Sequence, residues 1–215
     1  MKKQTLIVIL GFAFLLTIVL IILNYLDLLP KKTYTSNDFG IKTITSNIDY
    51  DNDGIDDYTD ILYGAKNYVN THPKYKSEYY EGGYPPSGIG VCTDVIWSAL
   101  MEAGYNLKDL IDLDIKNNLK EYFTITTPDP NIDFRRVKNL NIYFKRNTTN
   151  LTLDINDISS WQPGDIVVFT KHIAIVSDKR NKNGIPYIIH HGGLKYEEDA
   201  LSKYKIIGHY RLKSN

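Results

Sequence analysis

One cysteine and five histidines are the side chains of this 215-residue chain best suited to nucleophilic chemistry. Cys92 opens an apolar stretch, CTDVIWSALMEA, closed by Gly104, and so reads as the first residue of a helix. A thiol there meets the positive end of the helix dipole, which favours the nucleophilic thiolate. Gly88 and Gly90 allow a tight turn into the helix and leave backbone N–H groups free to face an oxyanion. The competing reading of a lone cysteine is a small buried hydrophobe, and a base within reach decides between the two. His72 precedes Pro73 and reads as a surface residue. His172 opens the strand-like run HIAIVSD directly after a tight turn, and His190 ends the run PYIIHH. With a five-residue loop between these runs, strand partners have numbers summing to 362, which sets His172 opposite His190. Such partners lie within about 5 Å of each other. A slip of one residue would exchange His190 and His191. Cys92, His172 and His190 thus form a candidate set of nucleophile, general base and orienting group.

Two further clusters carry charge. In PDPNIDFRRV, Asp129, Asp133, Arg135 and Arg136 crowd a proline-rich loop. A guanidinium fork suits a substrate carboxylate, and an internal clamp between arginine and aspartate fits the same residues. Asp94 sits one turn into the cysteine helix, where it can take part in substrate binding or hold an arginine, and where it raises the thiol pKa. In IDYDNDGIDDYTD, Asp49, Asp51, Asp53, Asp57 and Asp60 follow the alternation of a calcium loop, with Gly54 at the turn position. Position twelve is Asp60 instead of glutamate, which brings the loop closer to DxDxDG loops than to an EF-hand. The bland reading is an acidic helix start, with Asp56 and Asp57 favoured by the dipole.

The elements that must position these groups come after an apolar run. Leu6 to Leu23 contains no charge, and Asn24, Tyr25 and Leu26 extend it toward Asp27. That suffices to span a bilayer, giving an expected anchor at residues 1–30 with the membrane met by 5–26. A signal peptide is the alternative, but its apolar core is shorter and ends at a small-residue cleavage site. Lys2 and Lys3 balance Lys31 and Lys32 across the run, and the short two-lysine head suggests export of the C-terminal domain. Residues 31–48 are polar and without sustained periodicity, as expected of a linker, so the folded domain is placed at 49–213.

The 25 basic residues equal the 25 acidic ones, which provides no field for nucleic acid, and a single cysteine excludes a disulfide framework and multi-cysteine metal centres. Helical spacing runs over 57–71, 92–103, 107–119 and 137–144. The period then becomes strand-like at 165–169, 172–178, 186–191 and 206–212. The gaps between the first three of these runs are too short for parallel crossovers, which makes them an antiparallel meander. The expected class is α+β, N-terminal helices packed on an antiparallel sheet, after one transmembrane helix.

The segments GVCTDVIW, PDPNIDFRRVKNL, WQPGDIVVF, HIAIVSD, IIHHGG and GHYR closely resemble the bacterial domain of unknown function 1287 (DUF1287) family, in order and over nearly all of residues 55–212. At a greater distance, a helix-capping cysteine, a PGD strand, a strand-opening histidine and a third polar residue resemble the NlpC-type papain-like cysteine peptidases. That resemblance implies a papain-like domain with Cys92 as nucleophile, His172 as base and His190 as orienter, cutting amide bonds of cell-wall peptides. Cys92 is followed here by Thr-Asp, where those enzymes show Ser-Gly. The expected function is a membrane-anchored, extracytoplasmic thiol hydrolase. It needs no cofactor for catalysis, with structural calcium as an added ligand. A binding or scaffolding module, or an acyltransferase using the same cysteine, are the alternatives.

Overall fold

The computed structural model describes residues 2–25, 29, 31–192 and 195–214. Leu26 and Asp27 of the apolar run, the end of the expected anchor at Pro30, and Gly193 of IIHHGG lie outside the described residues. The chain divides into two units, Met1–Lys32 and Thr33–Asn215. The first is the helix α1, Lys2–Tyr25, in which Gln4–Leu23 has a mean hydropathy of 3.3 and is long and apolar enough to cross a membrane.

The second unit is mixed α and β. Four helices, α2 (Asp57–Asn70), α3 (Cys92–Glu102), α4 (Leu107–Asn118) and α5 (Val137–Asn147), follow the expected spacing to within a few residues. Helix α2 is capped by Asp56, whose side chain accepts from Tyr58 N, and it buries Ile61, Leu62, Ala65 and Val69. It crosses α3 so closely at Gly64 that a Cβ there would come within 2.9 Å of Ala99 Cα. Helix α3 stops where Gly104 adopts φ +79°, a left-handed conformation that glycine takes without steric penalty.

The strands are β1 (Lys74–Tyr75), β2 (Ile89–Gly90), β3 (Thr149–Asn150), β4 (Ile166–Phe169), β5 (Ile173–Arg180), β6 (Pro186–Ile189), β7 (Glu197–Glu198) and β8 (Ile206–Arg211). The first two form a small parallel pair, and the rest an antiparallel sheet in the order β3-β8-β4-β5-β6-β7. Ile166, Val168, Ile173, Ile175 and Ile189 pack with the helices in one core cluster. Val167, Phe169, Ala174, Val176 and Ile188 pack in another, with Trp161, Ala200 and Leu201. Both faces of the central strands are therefore covered, which is why IVVF is apolar throughout instead of alternating.

Two expectations are corrected. The register of β5 and β6 pairs Ile175 with Ile189 and Val176 with Ile188, two residues away from the expected one, with an irregularity before Arg180 and Pro186. Residues 33–48 are also part of the fold and not a free linker. Tyr34 and Arg180 exchange backbone hydrogen bonds of 2.9 and 2.7 Å, Ile41 is buried, and Gln162 accepts from Ile44 N and donates to Lys42 O. The buried Arg180 guanidinium ties the same region together through Ser36 Oγ and the carbonyls of Ile158, Gly184 and Trp161. These bonds run through backbone groups and two long side chains, so they leave no periodic apolar trace in the sequence.

Candidate active site

Cys92 is the first residue of α3 and is 6% exposed. The turn before it requires glycine at position 90, because a Cβ there would lie 1.8 Å from the Tyr68 hydroxyl. Backbone N–H groups of Ile173, Thr93 and Cys92 itself interact with the sulfur and lower the thiol pKa. Burial outweighs them and, with the Asp94 carboxylate adding to it, pushes the thiol up to about 11. The thiolate expected from the helix dipole is overridden by desolvation, and the resting group is the neutral thiol.

The N–H of Ile173 that addresses the sulfur follows His172 in the chain. Phe169 N donates to His172 O at 2.8 Å and closes the tight turn between β4 and β5. His172 Nε2 and His190 Nδ1 are 2.6 Å apart with the rings nearly perpendicular. A two-residue shift of register leaves both side chains on the same face, so the pair meets diagonally instead of directly opposite. Gly192 makes room for this contact, since a Cβ there would stand 3.0 Å from His172 Cε1 and 3.1 Å from His190 Nδ1. Gly192→Ala is expected to force the two rings apart and destabilise the domain by about 1–3 kcal/mol, read as a lower melting temperature with loss of coupling between the imidazoles in NMR titrations.

Sequence reasoning missed the group behind His190. His190 Nε2 lies 3.0 Å from Glu198 Oε1, and Lys203 Nζ donates to Glu198 Oε2 at 3.0 Å. The hydrogen bond from His190 holds the Glu198 carboxyl down at about 2, so it is ionised and only accepts. Burial, then the neighbouring His190, pushes His172 down to about 4, which keeps its ring neutral near pH 7. One assignment of tautomers, with Nδ1 of His190 bare, fits these contacts. His190 Nε2–H donates to Glu198, its Nδ1 accepts from His172 Nε2–H, and His172 Nδ1 keeps a lone pair. His191 points elsewhere: it is buried, its ring packs against Tyr75 and Tyr196, and its ring nitrogens meet no hydrogen-bond partner of good geometry among the described residues. That leaves His190 as the partner of His172.

Of the residues assigned to substrate, three are internal. Asp94 is fully buried and accepts from Arg135 Nε at 2.8 Å and Nη2 at 3.0 Å, from Val91 N and from Trp97 Nε1. Arg135 also donates to Glu78 O and lies over the Tyr80 ring, so the internal clamp is the arrangement found. Asp133 is buried, accepts from Asp129 N and from Asn139, and its carboxyl is pushed up by that burial. Arg136 alone is exposed. With Lys138 and Lys171, neither of which the sequence singled out, it lines an open cleft of about 780 Å³. Thr170 and Lys171 of the turn before His172 form one wall of that cleft.

The acidic loop divides as well. Carboxylate oxygens of Asp49, Asp51 and Asp53 lie within 4.8 Å of one another. Asp57 stands apart from the expected ligand set, buried and accepting from Tyr50 N and the Tyr105 hydroxyl. The WQPGD and GHYR segments meet in a structural network. Asp165 accepts from His209 Nε2 and Arg211 Nε, and Trp161 stacks on His209 with centroids 3.7 Å apart.

Residues 62–212 match the family described as "Domain of unknown function (DUF1287)". The chain belongs to the DUF1287 family. Within the part of this DUF1287 protein that aligns, it is 38% identical over 148 residues to "Uncharacterized protein YijF" of Escherichia coli (strain K12), covering 65% of this chain and 72% of that one. No solved structure matches.

Proposed function

We propose that this DUF1287 protein is a thiol hydrolase that cleaves an amide bond through an acyl-enzyme, with Cys92 as nucleophile, His172 as general base and His190 with Glu198 as positioning residues. The observation that carries this reading is the hydrogen-bonded line from Glu198 through His190 to His172, next to the strand N–H of Ile173 that reaches the sulfur of Cys92. Its chemistry runs from neutral partners. The Cys92 thiol gives its proton to His172 Nδ1 as sulfur attacks the carbonyl carbon, and Glu198 stabilises the positive charge then shared by the two imidazoles. The proton passes to the leaving amine, and water, deprotonated by the same imidazole, resolves the thioester. Backbone N–H groups of Cys92 and Thr93 at the helix start suit the developing oxyanion.

Arg136, Lys138 and Lys171 outnumber the acidic Asp129 and Asp133 in the cleft lining, a balance that favours a substrate bearing carboxylates, as cell-wall peptides do. We read the domain as papain-like and NlpC-type on the strength of the order of cysteine helix, histidine strand and third polar strand residue. Helix α1 acts as an uncleaved single-pass anchor with the C-terminal unit outside the cytoplasm, because its apolar run exceeds the ~7–15 residues of a signal-peptide core. A binding module is the second reading, favoured by the burial and high pKa of the thiol. Incubation of the protein with purified peptidoglycan separates them. Release of new amino groups by wild type and not by Cys92→Ser supports the hydrolase. Retained binding to peptidoglycan without release by wild type overturns it in favour of the module.

A further inference from the structure

Among the six aspartates between residues 49 and 60, two have clear structural partners. Asp56 caps α2 and accepts from Ser46 N and the Thr59 hydroxyl, and Asp57 is satisfied by Tyr50 and Tyr105. Three of the other four converge, and none of the four has a cationic partner among the described residues. Asp49, Asp51 and Asp53 bring one carboxylate oxygen each within 4.8 Å of the others, held by loop N–H groups of Asp53, Gly54 and Ile55. Such an exposed cluster alone says little. Asp60 is the independent observation: it is 2% exposed, and its Oδ2 meets no hydrogen-bond donor among the described residues. Its strongest charge interactions are all repulsive, led by Asp53 and Asp51, with Glu102 and Asp49 after them. A buried carboxylate oxygen with no donor, repelled by neighbouring carboxylates, calls for a compensating ligand.

We infer that Asp49, Asp51, Asp53 and Asp60 form a binding site for a hard divalent cation of the calcium class. Oxygen donors at alternate loop positions plus one from the following helix suit an ion that takes several oxygens with flexible geometry, whereas softer metals favour nitrogen and sulfur. A bound dication converts the mutual repulsion into attraction. It also staples the loop at residues 49–54 to helix α2 beside the close α2–α3 crossing. The site is separate from Cys92 and His172, so its test is independent of the proposed hydrolysis.

The test uses the full chain in detergent, stripped with chelator and then titrated with calcium. Saturation at ~100 times the dissociation constant should raise the melting temperature by about 5–10 °C. Terbium should bind in place of calcium and emit on excitation of Tyr50, which lies within the loop. Asp51→Asn and Asp60→Asn should each remove most of the gain, while Glu121→Gln, outside the loop, keeps it. Without calcium, Asp60→Asn should be at least as stable as wild type because the amide relieves the repulsion, which separates lost binding from lost folding. The exposed Asp51→Asn variant serves if Asp60→Asn fails to fold. Absence of both a melting shift and terbium emission in wild type overturns the inference, as does a full calcium gain in Asp60→Asn.

Discussion

Arg135→Leu is expected to lower stability by about 3–5 kcal/mol, because it strands a buried carboxylate. In a chain of this size that corresponds to a fall in melting temperature of roughly 6–20 °C. The magnitude comes from the surroundings of Asp94, which is 0% exposed and receives two of its hydrogen bonds from the guanidinium. Removing the arginine leaves a charge that water cannot reach and that the remaining donors, Val91 N and Trp97 Nε1, only partly satisfy. It also frees the loop at Glu78 and Tyr80. A double variant gives the sign test. Arg135→Leu combined with Asp94→Asn should be more stable than Arg135→Leu alone, since the asparagine carries no charge to strand, and the cycle should show a coupling above about 1 kcal/mol. Were Arg135 a solvent-facing substrate ligand, its loss would move stability by no more than ~0.5 kcal/mol, and thermal unfolding distinguishes the two cases directly.

That clamp shows how far the sequence could be read. Asp94 and Arg135 are 41 residues apart, and the sequence named both the internal clamp and the carboxylate site; only burial separates them. The helices were legible because each buries one stripe, so apolar residues recur at the helical period in Ile61, Leu62, Ala65 and Val69 and in Val95, Ile96 and Ala99. Strand order among β4, β5 and β6 was legible from short connections. Register was not, because β5 runs on to Arg180 and the turn falls two residues later than expected, and the irregularity between Val176 and Arg180 takes back only half of that displacement. The meeting of His172 with His190 nevertheless survives, since a shift of two preserves the face. Glu198 escaped notice because β7 has only two residues and follows a loop, too short for a period of two to register. Helix position suggested an acidic thiol for Cys92, but a dipole effect of ~1 kcal/mol loses to the desolvation of a buried sulfur.

The balance at that sulfur sets the remaining prediction. A thiol pushed from its ordinary value near 9 up to about 11 holds about 100-fold less thiolate at pH 7 than an unshifted one. Iodoacetamide should therefore alkylate Cys92 at least that much more slowly than a free thiol at pH 7, with the rate climbing about tenfold per pH unit toward pH 11. His172→Ala should leave this resting rate nearly unchanged, because His172, pushed down to about 4, supplies no imidazolium above that pH to hold a thiolate. The same two shifts bound the stability of the site. The folded pKa of His172 is depressed, so its contribution is present above the unfolded value near 6.5 and is lost as pH falls toward 4. The folded pKa of Cys92 is raised, so its contribution is present below the unfolded value near 9 and is lost as pH climbs toward 11. Both groups are neutral in the folded protein between those limits, which is the state from which the proposed proton transfer would start. Alkylation faster than a free thiol at pH 6, abolished by His172→Ala, would instead establish a resting thiolate–imidazolium pair and reverse the assignment of which partner moves the proton.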